Sequence, residues 1–288
     1  MIIGQKHILD DLNINLKKYM SHTLFYGPSG CGKTMFADYI GESLKITDKS
    51  KPKFIRTTGG GLTSADDVVD LAWIIGDGDV LFIDEIHDFA KKSKLREIMY
   101  EMMDKFSIFG TQIKRFTLVG ATTDISAIPF EFRERFVLQY QLSLYNDEEI
   151  IQMLETRKCP KEISLEIAKR SRGTPRIALN FFKRLIGESE NKKEKLSAGM
   201  AIEMFNRNGI DQLGLNQMDK KILGIMYQKN AFLRRNAMGI GSLADQLNIK
   251  EDHLRQIYEP YLMKLGFIDR TNRGRILTQQ GKEYVDGN

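Results

Sequence analysis

Residues 26–35 read YGPSGCGKTM, and Gly27, Gly30, Gly32, Lys33 and Thr34 fit the pattern G-x-x-x-x-G-K-[ST], with Pro28, Ser29 and Cys31 filling the loop. The pattern has the context it needs. The apolar run SHTLFYG leads into it, and KTMFADYIGESL follows with Phe36, Ile40 and Leu44 at helical spacing, so the stretch predicts strand, loop and helix. Glycines let the backbone wrap phosphates with its N–H groups. Lys33 neutralises the terminal phosphates, and the Thr34 hydroxyl is placed to ligate magnesium. Cys31 is a small tolerated loop residue rather than a redox sensor. This loop fixes much of the fold around it, because a phosphate loop of this kind is the first turn of a parallel, helix-covered sheet.

Two further runs supply more of that sheet. VLFID (80–84) and FTLVGAT (116–122) are almost continuously apolar, as strands covered on both faces must be. The first ends on Asp84 and Glu85. At the end of a buried strand behind a phosphate loop, Asp84 is positioned to hold magnesium through water and Glu85 to polarise an attacking water, which favours hydrolysis over transfer to a small molecule. His87 follows, either coupling to the site or in a structural or supporting role. The second run ends GATTD and brings Thr122 and Thr123 to the same edge. Beyond it FRERF offers Arg133 and Arg135, and SRGTPRIA offers Arg176 where Gly173 and Pro175 open a helix.

From about Asn146 the chain reads as helices alone. NDEEIIQMLETRK, SLEIAKRS and PRIALNFFKRLIGES carry apolar residues three and four apart, with Asn146 and Ser164 as N-caps, and NKKEKLSAG at 191–199 is a solvated loop or helix start. A third block begins near Gly209: three helices (QMDKKILGIMYQ, GSLADQLN, KEDHLRQIYEPYLMKLG), then FIDRT and RILT joined by the turn NRG. The expected domains are 1–143, an α/β nucleotide domain; 144–207, a helical lid; and 208–288, a winged helix.

Composition excludes several classes. A chain of 288 residues with 42% hydrophobic residues has enough apolar material for multidomain cores. It contains no run near the roughly 20 apolar residues of a membrane helix and no signal-peptide pattern, so a cytoplasmic protein without membrane contact is expected. Cys31 and Cys159 lie far apart with no metal-ligand spacing, so neither a disulfide framework nor a zinc site is indicated. The net charge of +5 permits a polyanionic partner without requiring one.

In this order the blocks resemble the AAA+ ATPases, and specifically the RuvB family of Holliday-junction branch-migration motors. IIGQ, YGPSGCGKT, GDVLFIDEIH, FTLVGATT, RSRGTPRIA, GLNQMD and EPYLMKLGFIDRTNRGR carry the resemblance over nearly the whole chain, the last two most specifically, since they belong to the family's C-terminal domain. The resemblance implies a cofactor pair of ATP and Mg²⁺. Lys33 and Thr34 would bind phosphates and metal, Asp84 support the metal, and Glu85 activate water. Thr123 would be the sensor-1 residue and Arg176 the sensor-2 residue of the lid, beside Pro175. Arg135 would be the arginine finger reaching a neighbouring subunit, with Arg133 in reserve. Ile3 would line the adenine pocket and Tyr145 pack on the base. Arg270, Arg273 and Arg275 would lie against the DNA backbone. The implied partners are duplex or branched DNA, the Holliday junction above all, and further copies of the chain in a hexamer.

The chain also departs from the family. Only KFSIFGTQIKR stands where the family has a longer excursion with the hairpin that docks RuvA, so docking of a RuvA-like partner is expected to be lost or altered. Asp124 replaces an arginine after the sensor threonines, and Val137 a glycine after FRERF. Such trimming suits a phage or mobile-element version. The rival reading is a nucleotide-switched initiator or helicase loader of the Orc/Cdc6 kind, which also joins AAA+ to a winged helix. A clamp-loader subunit is a third reading, against which the wing argues.

Overall fold

The computed structural model describes residues 2–16, 19–44, 52–233 and 237–287. They sort into two units, Met1–Gly27 with Cys31–Ser143, and Pro28–Gly30 with Leu144–Asn288.

The first unit is built on strands β1 (Thr23–Tyr26), β2 (Phe54–Thr58), β3 (Val80–Asp84), β4 (Ser107–Ile108), β5 (Thr111–Gln112), β6 (Thr117–Thr122) and β7 (Leu138–Gln141). Five of these form one sheet in the order β2-β3-β6-β1-β7, every neighbouring pair parallel. The expected α/β P-loop architecture is therefore present. Strands β1, β3 and β6 are the three apolar runs, and they occupy the centre, where both faces are covered. The two edge strands escaped the sequence reading. FIRTT and LQYQ carry polar side chains toward solvent, so neither shows a continuous apolar run.

Helices Lys33–Ser43, Ala65–Ile74 and Ser93–Lys105 cover the sheet with Phe36 and Ile40, Val68 and Leu71, and Leu95, Met99 and Met102. The second of these opens on a reciprocal capping box, in which the Ser64 hydroxyl accepts from the Asp67 N–H and the Asp67 carboxylate accepts from the Ser64 N–H. Hydrogen bonds from the Thr63 N–H, the Ser64 N–H and the Thr63 hydroxyl hold the Asp67 carboxyl down at about 2. Strands β4 and β5 form a hairpin of two residues per strand, closed by Phe109 and Gly110, with Phe109 exposed at its tip.

The second unit opens with helices Asp147–Glu155, Lys161–Arg170, Pro175–Lys192 and Ala198–Arg207. Asn146 caps the first as expected, in a capping box with Glu149. The expectation for Ser164 fails. That residue is buried inside the second helix, donating to the Lys161 carbonyl 2.8 Å away, and Pro160 stands at the N-cap position. Proline there starts the helix one turn earlier than a hydroxyl cap predicts, because its fixed φ suits a helix entry.

The winged-helix part has helices Gln217–Leu233 and Ile240–Leu247, then a continuous helical run through Glu251–His253, Leu254–Tyr258 and Glu259–Lys264, strands β8 (Ile268–Thr271) and β9 (Gly274–Leu277), and a closing helix Gln279–Asp286. The middle of the long run is π-helical. Pro260 stands two residues past its end and has no N–H to give to the preceding turn, so the ladder widens there. Gly274 takes φ 129°, and a Cβ on it would lie 2.4 Å from the Met238 carbonyl oxygen. Its neighbour Arg275 exchanges both backbone hydrogen bonds with Met238, which adds a third strand position to the wing.

Candidate nucleotide and nucleic-acid site

The strand order brings the sequence motifs together. With β6 between β3 and β1, the carboxyl ends of three adjacent strands carry the phosphate loop, Asp84 with Glu85, and Thr122 with Thr123. In open parallel sheets this edge is where ligands sit.

Gly27 turns out of β1 with φ 137°, and a Cβ there would stand 2.3 Å from the Leu142 carbonyl oxygen, so only glycine fits. The loop ends at the N-terminus of helix Lys33–Ser43, whose N–H groups and dipole favour an anion. Lys33 is buried and donates to the Gly27 carbonyl at 2.8 Å. The Thr34 hydroxyl lies 3.5 Å from Asp84 Oδ2, and Asp84 Oδ1 accepts from the Glu85 N–H at 3.0 Å. These two neighbouring oxygen donors are the ligand type a hard divalent cation takes when most of its shell is phosphate and water. Cys31 is buried within the loop.

Glu85 stands in the left-handed region at φ 45°. Its Oε2 accepts from both the N–H and the hydroxyl of Thr123 at 3.2 Å, and the His87 Nδ1 lies 3.3 Å away. His87 Nδ1 also meets the Thr122 hydroxyl at 3.0 Å. The two threonines, the glutamate and the histidine thus form one network at the strand ends. Asp124 accepts from the Ser126 hydroxyl and the N–H groups of Ser126 and Ala127, capping a short 3₁₀ turn. Burial works against ionising its carboxyl, and those bonds outweigh burial and hold it low.

Ile3 is buried, and beside it the Gln5 amide donates to the Ser143 carbonyl at 2.8 Å, a tie absent from the sequence reading. Arg135 is engaged on several sides: Nε and Nη2 bond Asp104 Oδ2 at 3.0 and 2.9 Å, Nη1 bonds the Glu131 carbonyl, and the guanidinium lies 3.8 Å over the Tyr100 ring. Arg133 ends helix Phe130–Arg133, and its buried Nε has no hydrogen-bond partner among the described residues.

Within the second unit, Pro175 occupies the first turn of its helix, as the sequence predicts, and the exposed Arg176 donates to the Ser29 hydroxyl at 3.2 Å. Tyr145 is fully buried, its N–H bonded to the Gly173 carbonyl and its carbonyl to Lys264 Nζ at 2.7 Å.

Glu259 is buried, and its carboxylate holds both Arg270 and Arg275. Burial pushes that carboxyl up, and the bonds from Arg275 and Arg270 more than reverse it. Arg275 has only 12% of its side chain exposed, so two of the three wing arginines brace the wing on the preceding helix. Arg273 is exposed and has no side-chain partner among the described residues.

Three family descriptions match consecutive parts of the chain: the Holliday junction DNA helicase RuvB P-loop domain over residues 1–142, the RuvB AAA lid domain over 149–211, and the RuvB C-terminal winged helix domain over 212–286. The chain belongs to the RuvB family.

A relative in Campylobacter concisus, the Holliday junction branch migration complex subunit RuvB, is 34% identical over 299 residues, covering 95% of this chain and 85% of its own. The solved structure of the Thermotoga maritima RuvB Holliday junction branch migration motor superposes with a TM-score of 0.85 at 32% identity, over 99% of this chain and 95% of that one. The Aeropyrum pernix Orc1 protein in complex with DNA superposes at 0.56 with 15% identity over 99% of this chain and 92% of that one, a likeness of fold alone. The initiator reading is thus not favoured over the RuvB one. RuvB-family membership makes residues 1–142 a P-loop nucleotide-binding ATPase domain. Among the described residues no helix is long and apolar enough to cross a membrane.

Proposed function

We propose that this chain is an ATP-driven DNA motor of the RuvB type, which hydrolyses ATP in a ring and moves duplex DNA to drive branch migration of Holliday junctions. The observation that carries the reading is the convergence of the phosphate loop, Asp84, Glu85 and Thr123 on adjacent strand ends, in a chain whose relative over 95% of its length is a Holliday junction branch migration complex subunit.

The roles follow from chemistry. Gly27–Thr34 cradle the phosphates and Lys33 meets their charge. Thr34 and Asp84 would hold Mg²⁺, which supplies charge neutralisation on the phosphate oxygens. Glu85 takes the proton of the attacking water as its oxygen bonds to the γ-phosphorus and the bond from that phosphorus to the bridging oxygen breaks, releasing ADP and phosphate. Thr123 holds the carboxylate of Glu85 from the strand end, and Arg176 would serve as the sensor-2 residue of the lid. Ile3 would line the adenine pocket and Tyr145 pack on the base. Arg135 serves the neighbouring subunit's site, its guanidinium fixed by Asp104 and Tyr100. Arg273 meets DNA phosphate, framed by Arg270 and Arg275.

The same reading assigns residues 1–143 to the ATPase core, 144–207 to the lid and 208–288 to the DNA-contacting winged helix. It takes the assembly as a hexamer working in the cytoplasm. It takes docking of a RuvA-like partner as altered, since the hairpin has only two residues per strand. The test is a synthetic four-way junction with homologous arms, incubated with the protein and ATP. Separated duplexes should appear with ATP and not with a non-hydrolysable analogue. An intact junction that stays bound while ATP turns over slowly would reject the motor in favour of a switch.

A further inference from the structure

Two motif residues that the catalytic roles leave unused meet in the second unit. Arg172 lies in RSRGTPRIA, four residues before Arg176, and Asp219 lies in GLNQMD, at the start of the first winged-helix helix. Their side chains form a bidentate pair, Arg172 Nη1 to Asp219 Oδ2 at 3.1 Å and Nη2 to Oδ1 at 3.0 Å. Asp219 is 0% exposed and Arg172 8%.

Arg172 is held on every side. Its Nη2 reaches the Ile257 carbonyl at 3.5 Å, in the π-helical stretch, and its guanidinium lies 4.8 Å from the Tyr261 ring centre. Asp219 Oδ2 also accepts from the Asn216 N–H at 2.9 Å, while Asn216 Oδ1 accepts from the Asp219 N–H, a capping pair that locks the carboxylate to its helix start. The backbone of Arg172 sits at φ 60°, a region costly for a residue with a Cβ, so the surroundings hold the turn in place. Lys264, from the end of the long helical run, holds the same turn through Tyr145, whose N–H bonds Gly173.

Stability is a poor reason for such a pair. Burial raises the Asp219 carboxyl despite the guanidinium beside it, and a buried ion pair rarely contributes more than well-packed apolar side chains. What a fork-to-fork pair supplies is one fixed geometry. We propose that Arg172 and Asp219 weld the turn preceding Arg176 to the winged helix, so that lid and winged helix move as one body and a nucleotide-driven tilt of the lid reaches the DNA-contacting end undiminished. The mechanical half of this rests on the motor reading; the rigid coupling does not. Arg172 acts here as a positioning residue.

The test uses the full chain with paired spin labels at the exposed positions Lys183 in the lid and Asp252 in the winged helix. Without nucleotide, with ADP and with a non-hydrolysable ATP analogue, the label distance should be single, narrow and unchanged. The double variant R172Q/D219N keeps polar partners and the helix cap but removes both charges, and its distances should broaden. Its unstimulated ATP turnover should stay near that of the parent, while base pairs moved per ATP fall about 5-fold or more, the low end of coupling between linked sites. Should the double variant misfold, R172K, which keeps the charge without the fork, should show intermediate broadening in a folded protein. A parent distance that shifts with nucleotide, or variant distances as narrow as the parent's, overturns the weld. If the parent moves no junction yet the distances behave as stated, the motor reading fails and the weld stands.

Discussion

Replacing the wing arginines one at a time separates a DNA contact from a brace. Each phosphate contact on duplex DNA contributes about −0.9 to the slope of log affinity against log salt. The sequence suggests up to three such contacts, but Glu259 engages Arg270 and Arg275, and Arg275 is only 12% exposed. Arg273→Ala should therefore flatten the slope by about 0.9, so that a fourfold rise in salt costs roughly 3.5-fold less affinity than in the parent. Arg275→Ala should leave the slope alone and lower stability instead. Removing one partner of a buried pair costs about 3–5 kcal/mol, and the low end applies because Arg270 still faces Glu259. Fluorescence anisotropy on two unrelated duplexes across a salt series gives the slope, and urea unfolding gives the stability. Equal flattening by both substitutions, with Arg275→Ala as stable as the parent, would refute the division of roles.

Glu85→Gln should keep ATP binding while turnover collapses, and Lys33→Ala should lose binding as well; wild-type turnover in Glu85→Gln removes Glu85 from the mechanism. Arg135→Ala should bind nucleotide yet lose about 10³- to 10⁵-fold in rate, as a finger supplied in trans does, and mixing it with Lys33→Ala should restore activity. If Arg133→Ala is dead and Arg135→Ala fully active, the two roles exchange. His22 supplies a pH test of the nucleotide domain. Its buried ring accepts from the Leu118 N–H at 2.8 Å, and burial pulls its pKa down from 6.5 to about 4. The unfolded chain therefore binds the extra proton between those values, and stability should fall as pH drops from about 6.5 to about 4, by about 1.4 kcal/mol per unit. His22→Asn should abolish that slope, and an unchanged slope would place the titration elsewhere.

Legibility followed burial. The strands covered on both faces, around Phe25, Phe82 and Val119, announce themselves as apolar runs, and the phosphate loop and the Asp84–Glu85 pair stand at their ends. Edge strands β2 and β7 have one polar side and gave no such run. The closing helix Gln279–Asp286 buries little and carries a weak apolar pattern, so it too went unread. Roles that depend on distant partners were invisible for a different reason. Nothing in DRTNRGR says that Glu259 will engage two of its arginines, and nothing in GLNQMD says that Asp219 will meet Arg172, 47 residues away. Ser164 failed because a hydroxyl near a helix start is a weak signal beside a proline one turn earlier.

A motor of this kind moves DNA repeatedly and in one direction over many ATP turnovers. A single DNA molecule carrying an extruded four-way junction, held in magnetic tweezers, reports that movement as a steady change in extension. With this protein and ATP the extension should change continuously at a rate that rises with ATP concentration, stop when ATP is replaced by ADP, and never start with Glu85→Gln. A single step on binding, followed by constant extension while ATP is still hydrolysed, would contradict the motor.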